Sequence, residues 1–218
     1  MAERRRTAVL ISGRGSNLRT LIEACGRPAA SAEIALVISN RADAAGIEHA
    51  RAAGIATEVI PHGAFATQVG FDNAIDRTLH EQAISVVCLA GFMRVLSPWF
   101  VERWRDRLLN IHPSLLPAFR GLDTHRRVLA AGVRFTGCTV HLVRAEVDAG
   151  PIVAQAAVPV HQDDTEHSLA ARVLEAEHRC YPIALELLAS GRVRVIGERT
   201  VIDDGTAPDA VMLNPASP

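Results

Sequence analysis

Short apolar runs alternate with amphipathic stretches along most of this chain. Thr7 to Ser12, Ile34 to Ser39, Ala56 to Ile60, Ile84 to Ala90 and Leu108 to His112 are brief and largely apolar, and each predicts a strand. Between them lie stretches that predict helices: Ser16 to about Cys25, Ala45 to Ala53, Thr67 to Ala83, and a helix reaching about Trp104. The punctuation supports these limits. Ser16 is placed to cap the first helix, Gly54 to end the second, and Ser97-Pro98 to start the fourth as a cap followed by proline at the first helical position. Further on, Thr124 to Ala131 predicts a helix, and Gly137 to Val143 and Ile152 to Val158 predict strands. Leu169 to Ala189 predicts a long helix interrupted or bent near Pro182. Arg192 to Ile196 and Thr200 to Ile202 predict a small terminal hairpin.

This alternation predicts the α/β class: a Rossmann-like, mostly parallel twisted sheet with helices on both faces, in a single domain. No internal repeat or composition shift marks a boundary inside it. The domain is expected to span 1–202, with a loose C-terminal tail over 203–218 that is poor in core formers.

Composition narrows the chemistry. The 218 residues are 49% hydrophobic and 22% charged, with a net charge of -1, as expected of an ordinary soluble globular protein. Such a balance gives no reason to expect nucleic acid or membrane as a partner. All 23 Lys+Arg residues are arginine, which excludes Schiff-base chemistry and a P-loop lysine. Cys25, Cys88, Cys138 and Cys180 form no C-x-x-C, so neither a zinc ribbon nor a redox motif is supported. They read as reduced thiols in a cytoplasmic protein, Cys88 as a small core residue. The apolar run after Met1-Ala2-Glu3-Arg4-Arg5-Arg6 is too short for a signal-peptide core or a membrane span.

Three polar segments share one address, the carboxyl ends of predicted strands, where open α/β sheets bind ligands. Ser12-Gly13-Arg14-Gly15-Ser16-Asn17 is a glycine turn into a helix, whose free N–H groups suit a phosphate. It lacks the third glycine of a dinucleotide fingerprint, and the second strand ends in Ser39-Asn40 without an acidic residue, so a single phosphate fits better than NAD. Gly91-Phe92-Met93-Arg94 follows the fourth strand. Asn110-Ile111-His112-Pro113 ends the fifth, and strand alternation points Asn110 and His112 to the same face. An amide donor beside an imidazole suits an oxygen that gains negative charge during acyl transfer, although a strand with polar ends would look the same. Asp148, before Gly150-Pro151, admits two readings as well: it organises a turn, or it pairs with His112, raises the ring's pKa and favours imidazolium. Metal binding by His112, His141 and Asp148 has only ligand identity behind it, and no metal is expected. His141 reads as a core or supporting histidine, and His125 as a further candidate.

Together these segments resemble the folate-dependent phosphoribosylglycinamide formyltransferase family. The likeness is carried by Val9 to Leu18, Leu89 to Ser97, Leu108 to Pro117, Gly137 to His141, Val147 to Ile152, Glu177-His178 and Tyr181-Pro182, in order across roughly 7–196. It implies transfer of a formyl group from 10-formyltetrahydrofolate, a co-substrate, to the amine of 5-phosphoribosylglycinamide in de novo purine synthesis, without a metal. It also implies roles. Asn110, His112 and Asp148 match the catalytic trio, Asp148 keeping His112 charged. Gly15, Ser16 and Asn17 match the phosphate loop, Glu177 a contact to the glycinamide substrate, and Met93, Arg94, Val95 and Leu96, with Asn110, the folate pocket. Partners are then small molecules, with a homodimer left open.

Three features depart from the family pattern. Gln68 stands near a position that is often basic and reaches the folate tail, Arg14 replaces an Asn, and Phe119-Arg120-Gly121-Leu122-Asp123 varies a loop. The rivals are a 10-formyltetrahydrofolate hydrolase or another formyltransferase, which usually carry an extra domain for which this length has no room, and a phosphosugar-binding domain without catalysis.

Overall fold

The computed structural model describes residues 3–205 and 212–215. The chain runs β1 (Arg5–Ile11), α1 (Ser16–Cys25), β2 (Ala32–Ser39), α2 (Gly46–Ala52), β3 (Ala56–Val59), α3 (Gln68–Glu81), β4 (Val86–Leu89), α4 (Pro98–Arg103), β5 (Leu108–His112), α5 (Thr124–Ala131), β6 (Phe135–Leu142), β7 (Ile152–Pro159), α6 (Glu166–Ala189), β8 (Val193–Ile196) and β9 (Arg199–Ile202). A 3₁₀ turn at His62–Ala64, not foreseen from the sequence, precedes α3.

Strands β1 to β7 form one sheet in the order β3-β2-β1-β4-β5-β6-β7, and β8 and β9 pair separately. The first five are mutually parallel, while β6 runs antiparallel to both β5 and β7. The predicted α/β class and mostly parallel sheet are therefore what the chain adopts. Burial explains the strand composition. Val9, Val87, Cys88 and Leu109 are fully buried because helices cover both faces, so the central strands read as unbroken apolar runs. Edge strand β3 instead alternates between exposed and half-buried positions.

Two apolar clusters sandwich the sheet. One packs α1, α2, α5 and α6 against Val9, Val37, Leu109 and Val140. The other packs α3 and α4 against Leu10, Ile38, Val87 and Leu108. The chain leaves β1 toward β2 and β3 on one side and resumes with β4 on the other. The carboxyl ends of β1 and β4 therefore flank the point where strand order reverses, the usual ligand crevice of such sheets.

Three local expectations need correction. Ser16 does not cap α1: Gly15 is the cap, in the left-handed region at φ 74°, and Ser16 is the first helical residue. The long helix is not interrupted at Pro182, which lies inside a continuous α6. Packing of Tyr181, Ala184 and Leu185 against the sheet outweighs the bond that proline cannot donate. That helix also starts before Leu169, at Glu166, where a reciprocal Thr165–Ser168 capping box satisfies the first free N–H groups.

In the segment expected to be loose, Asn214 Nδ2 donates to the carbonyls of Arg134 (2.6 Å) and Val160 (3.0 Å), while 206–211 and 216–218 lie outside the described residues. No helix among the described residues is long and apolar enough to cross a membrane.

Tyr181 pins α6 to the sheet. Its buried hydroxyl faces the carbonyls of Leu89 (3.0 Å) and Leu109 (3.3 Å), just where β4 and β5 deliver their terminal residues. Tyr181→Phe keeps the ring and strands those acceptors, so it should destabilise by about 1–2 kcal/mol. Urea unfolding checks this, and an unchanged midpoint would refute the anchor.

Candidate active site

The end of β5 builds the centre of the site. Leu109 and Ile111 face α6, which turns Asn110 and His112 to the opposite face, as strand alternation requires. Antiparallel pairing then sets His141 of β6 directly beside Asn110, and the two side chains meet at 3.3 Å between Nδ2 and Nε2. The loop after β6 folds back over this face and delivers Asp148. Its Oδ2 lies 3.2 Å from His112 Nδ1, and its Oδ1 lies 3.7 Å from His141 Nε2. Both His112 and Asp148 side chains are over nine-tenths buried, with 7% and 8% exposure. The structure thus brings the three expected catalytic residues together, with His141 supporting them from behind.

The surrounding loop completes the cage. His112 Nε2 lies 2.9 Å from the Phe119 carbonyl, and the Gly121 N–H donates to Asp148 Oδ2 at 2.9 Å. Phe119 and Asp148 both take positive φ, 54° and 52°, so each turn is held by its partners rather than by intrinsic preference. Residues 119–121 were read from sequence only as a variable loop; nothing in their identity beyond Gly121 signals that two backbone groups would face the trio.

Electrostatics corrects one expectation. Asp148 does act to raise the His112 pKa, but the net shift is downward. Burial pushes the ring below its ordinary 6.5, and the Phe119 carbonyl and Asp148, which act the other way, do not overcome it. Burial opposes the charge of Asp148 too, but donors from His141 and the Gly121 N–H, with the charge of His112, outweigh it and hold the carboxyl below its usual range. Burial thus disfavours the cationic ring, while the donors around Asp148 favour its carboxylate.

Asn110, His112 and Asp148 open onto a cavity of about 730 Å³ that Met93, Arg94, Val95 and Leu96 also line. This volume suits a ligand of drug-like size. Met93, Val95, Leu122 and Val147 line it while still exposed to solvent, an apolar rim of the kind that marks a binding site. His125 lines it as well, its Nδ1 buried and without a partner. Gln68 donates to the carbonyl of Val95, one of the cavity-lining residues, at 2.6 Å.

Gly15, Ser16 and Asn17, expected to bind phosphate, form a second cluster outside the lining of that cavity. Gly15 has no room for a side chain: a Cβ there would meet Gly46 Cα at 2.6 Å, so the turn packs directly on the start of α2. Asn17 points inward and donates to Glu177 Oε2 at 2.7 Å, while its own Oδ1 is buried and unpartnered. Burial pushes Glu177 up to about 7 from an ordinary 4.5, against the pull of the Asn17 hydrogen bond. One bond ties the two clusters together: the Met93 N–H donates to Ser12 Oγ at 2.8 Å, across the β1/β4 crevice.

Cys25, Cys88, Cys138 and Cys180 are buried and unbridged. Among the described residues, no group of three or more His, Cys, Asp or Glu side chains is arranged to hold a metal ion.

Comparison with known proteins gives the class to which this fold belongs, a formyl transferase. The formyl transferase family model covers residues 5–185, and the chain belongs to that family. The chain is similar to the phosphoribosylglycinamide formyltransferase of Escherichia coli K12, 44% identical over 92% of this chain and 94% of that protein. It is 54% identical to the human trifunctional purine biosynthetic protein adenosine-3 over 87% of its own length, but spans only 19% of that protein. A crystal structure of glycinamide ribonucleotide transformylase 1 from Symbiobacterium toebii superposes with a TM-score of 0.90 at 44% identity, covering 93% of this chain and 95% of that one.

The raised Glu177 carboxyl has a signed consequence for stability. An acid whose folded pKa exceeds its unfolded value stabilises fully below the unfolded pKa, here about 4.5, and that contribution is lost as pH rises through about 7. Glu177→Gln should therefore lose less stability than the parent between pH 4.5 and pH 8 in urea titrations. An equal loss in both proteins would show that Glu177 titrates normally.

Proposed function

We propose that this protein transfers a formyl group from 10-formyltetrahydrofolate to the amine of 5-phosphoribosylglycinamide, a step of purine synthesis, within a unit spanning residues 1–202. The observation that carries this reading is the buried contact between His112 and Asp148 beside Asn110, at the mouth of a cavity sized for a pterin-bearing molecule. The similarity to phosphoribosylglycinamide formyltransferases along nearly the whole chain supports the choice of acceptor. The four unbridged thiols fit the reducing cytoplasm in which such a reaction would run.

In this reading Met93, Arg94, Val95 and Leu96 hold the formyl donor, Gly15, Ser16 and Asn17 receive the acceptor's phosphate, and Glu177 contacts its glycinamide portion. Attack of the amine on the formyl carbon forms the new C–N bond and moves the carbonyl π pair onto oxygen. Asn110 Nδ2 and the His112 ring supply hydrogen-bond donors to that oxygen. Burial disfavours the cationic form of the ring at rest. A developing negative oxygen beside it supplies the counter-charge that burial otherwise makes scarce, so His112 becomes cationic in step with the reaction rather than before it. The proton that leaves the amine is passed by the His112–Asp148 pair to the departing folate nitrogen as its C–N bond breaks.

The test is an assay with 10-formyltetrahydrofolate, with and without 5-phosphoribosylglycinamide. Formylated product that requires the acceptor supports the proposal; deformylation without acceptor would make the protein a hydrolase, and binding without turnover a phosphosugar-binding domain. His112→Ala and Asp148→Asn should each lower kcat by about 10²–10³-fold, the loss typical of one donor to a developing oxyanion, while acceptor binding by calorimetry persists. Full activity in either variant would remove the assigned roles.

A further inference from the structure

Away from the trio, the most heavily tethered side chain near the cavity is Arg144. It begins the loop between β6 and β7 that carries Asp148, and it lines the cavity. Nothing in the proposed mechanism uses it. Its side chain is only 10% exposed, and the guanidinium reaches three acceptors. Nε donates to Glu198 Oε2 at 2.7 Å, Nη2 to Asp106 Oδ1 at 2.7 Å, and Nη1 to the Val143 carbonyl at 3.1 Å. Asp106 precedes β5, and Glu198 sits in the turn of the β8–β9 hairpin, 54 residues further along the chain. Arg105 reaches the other Glu198 oxygen at 2.6 Å. The hairpin in turn docks on β7 through Thr200, whose hydroxyl donates to the Ile152 carbonyl.

The stem of Arg144 matters as much as its head. At the far end of the loop, a Cβ on Gly150 would meet the Leu142 carbonyl oxygen at 1.7 Å and Arg144 Cγ at 3.2 Å. The loop's two ends therefore close on each other, with the Arg144 stem packed against the closure. The Leu142 N–H, donating to the Pro151 carbonyl at 2.8 Å, fastens the same neck. Asp148 emerges two residues before Gly150, in a left-handed conformation that only its surroundings maintain.

We propose that Arg144 is a positioning residue: anchored by Glu198 of the terminal hairpin and by Asp106, it fixes the neck of the β6–β7 loop and thereby sets Asp148 against His112. This rests on the reading of that pair as the reacting centre. The hairpin is then a brace for the active site rather than an appendage. Arginine suits the task because one rigid fork serves three acceptors; a lysine point charge at 144 could not.

The test measures His112 itself as well as turnover. The groups facing its ring are Asp148, the Phe119 carbonyl and His141, with Arg127 of α5 acting from further off. Of these, only Asp148 belongs to the braced loop. In Arg144→Ala, a loosened Asp148 should let the His112 titration, followed by NMR on the intact protein, move further below that of the parent. The same variant should lower kcat by about 10–100-fold, the range expected when a reacting group is misplaced by up to ~1 Å, with KM for the acceptor little changed. Arg144→Lys should fall between the two, and Glu198→Ala should add nothing to Arg144→Ala, since both cut one linkage. A lowered Tm with the parent's His112 titration and kcat would make Arg144 merely structural and overturn the proposal, as would additive losses in the double variant. If the parent transfers no formyl group yet the His112 titration still follows Arg144, the positioning role stands and the reading of the reaction falls.

Discussion

The site depends on keeping a carboxylate and an imidazole in contact while both are almost dry. Burying charge is costly, and removing one member of a buried pair typically costs about 3–5 kcal/mol because the other is left uncompensated. His112 and Asp148 escape that cost through their surroundings. Asp148 accepts from the Gly121 N–H and lies within reach of His141, while His112 has the Phe119 carbonyl on its far nitrogen. Much of the architecture at this edge of the sheet serves those contacts. β5 runs parallel to β4 and antiparallel to β6, and only that reversal sets His141 alongside Asn110 and brings a loop back across their shared face.

The same topology separates two binding tasks. The glycine turn and Asn17–Glu177 belong to the α1/α6 side of the sheet, while the Asn110–His112 face looks toward the α4 side. A reaction that joins a phosphorylated acceptor to a folate donor needs both ligands to meet at the strand ends, and the crevice between β1 and β4 is where the two sides communicate. Ser12 and Met93 close that crevice with one hydrogen bond, linking the root of the glycine turn to the segment lining the cavity.

What could be read from the sequence follows from range. Periodicity is local, and Leu108–His112 and Thr124–Ala131 coincide with their predicted limits. Asn110 and His112 were placed on one face because a strand permits nothing else. Asp148 could be proposed as a partner, but its turn role and its pairing role look alike in one dimension; the structure shows both, a left-handed turn residue that also touches His112. The sign of the His112 shift was not legible at all. It depends on how much water the folded chain excludes, a sum over Phe119, Asp148 and the cavity walls that no motif encodes. Arg144 was equally silent, since its meaning lies in Asp106 and Glu198, which are brought to it only by folding.

The direction of the His112 shift bears on how the ring would act in the proposed reaction. A ring already cationic at rest would bind any anion, including the carboxylate tails of folates and free phosphate, and would hold its hydrogen bond to Asp148 equally in ground and transition states. Such uniform binding does not raise kcat. Burial disfavours the cationic form of His112 even though Asp148 and the Phe119 carbonyl face its two nitrogens, so a further negative charge nearby would favour it. In the proposed reaction that charge would appear as the formyl oxygen becomes negative. On the proposed reading, desolvation would make the His112–Asp148 pair selective for the reacting state, and the cage that excludes water from His112 would be part of the chemistry rather than only its container.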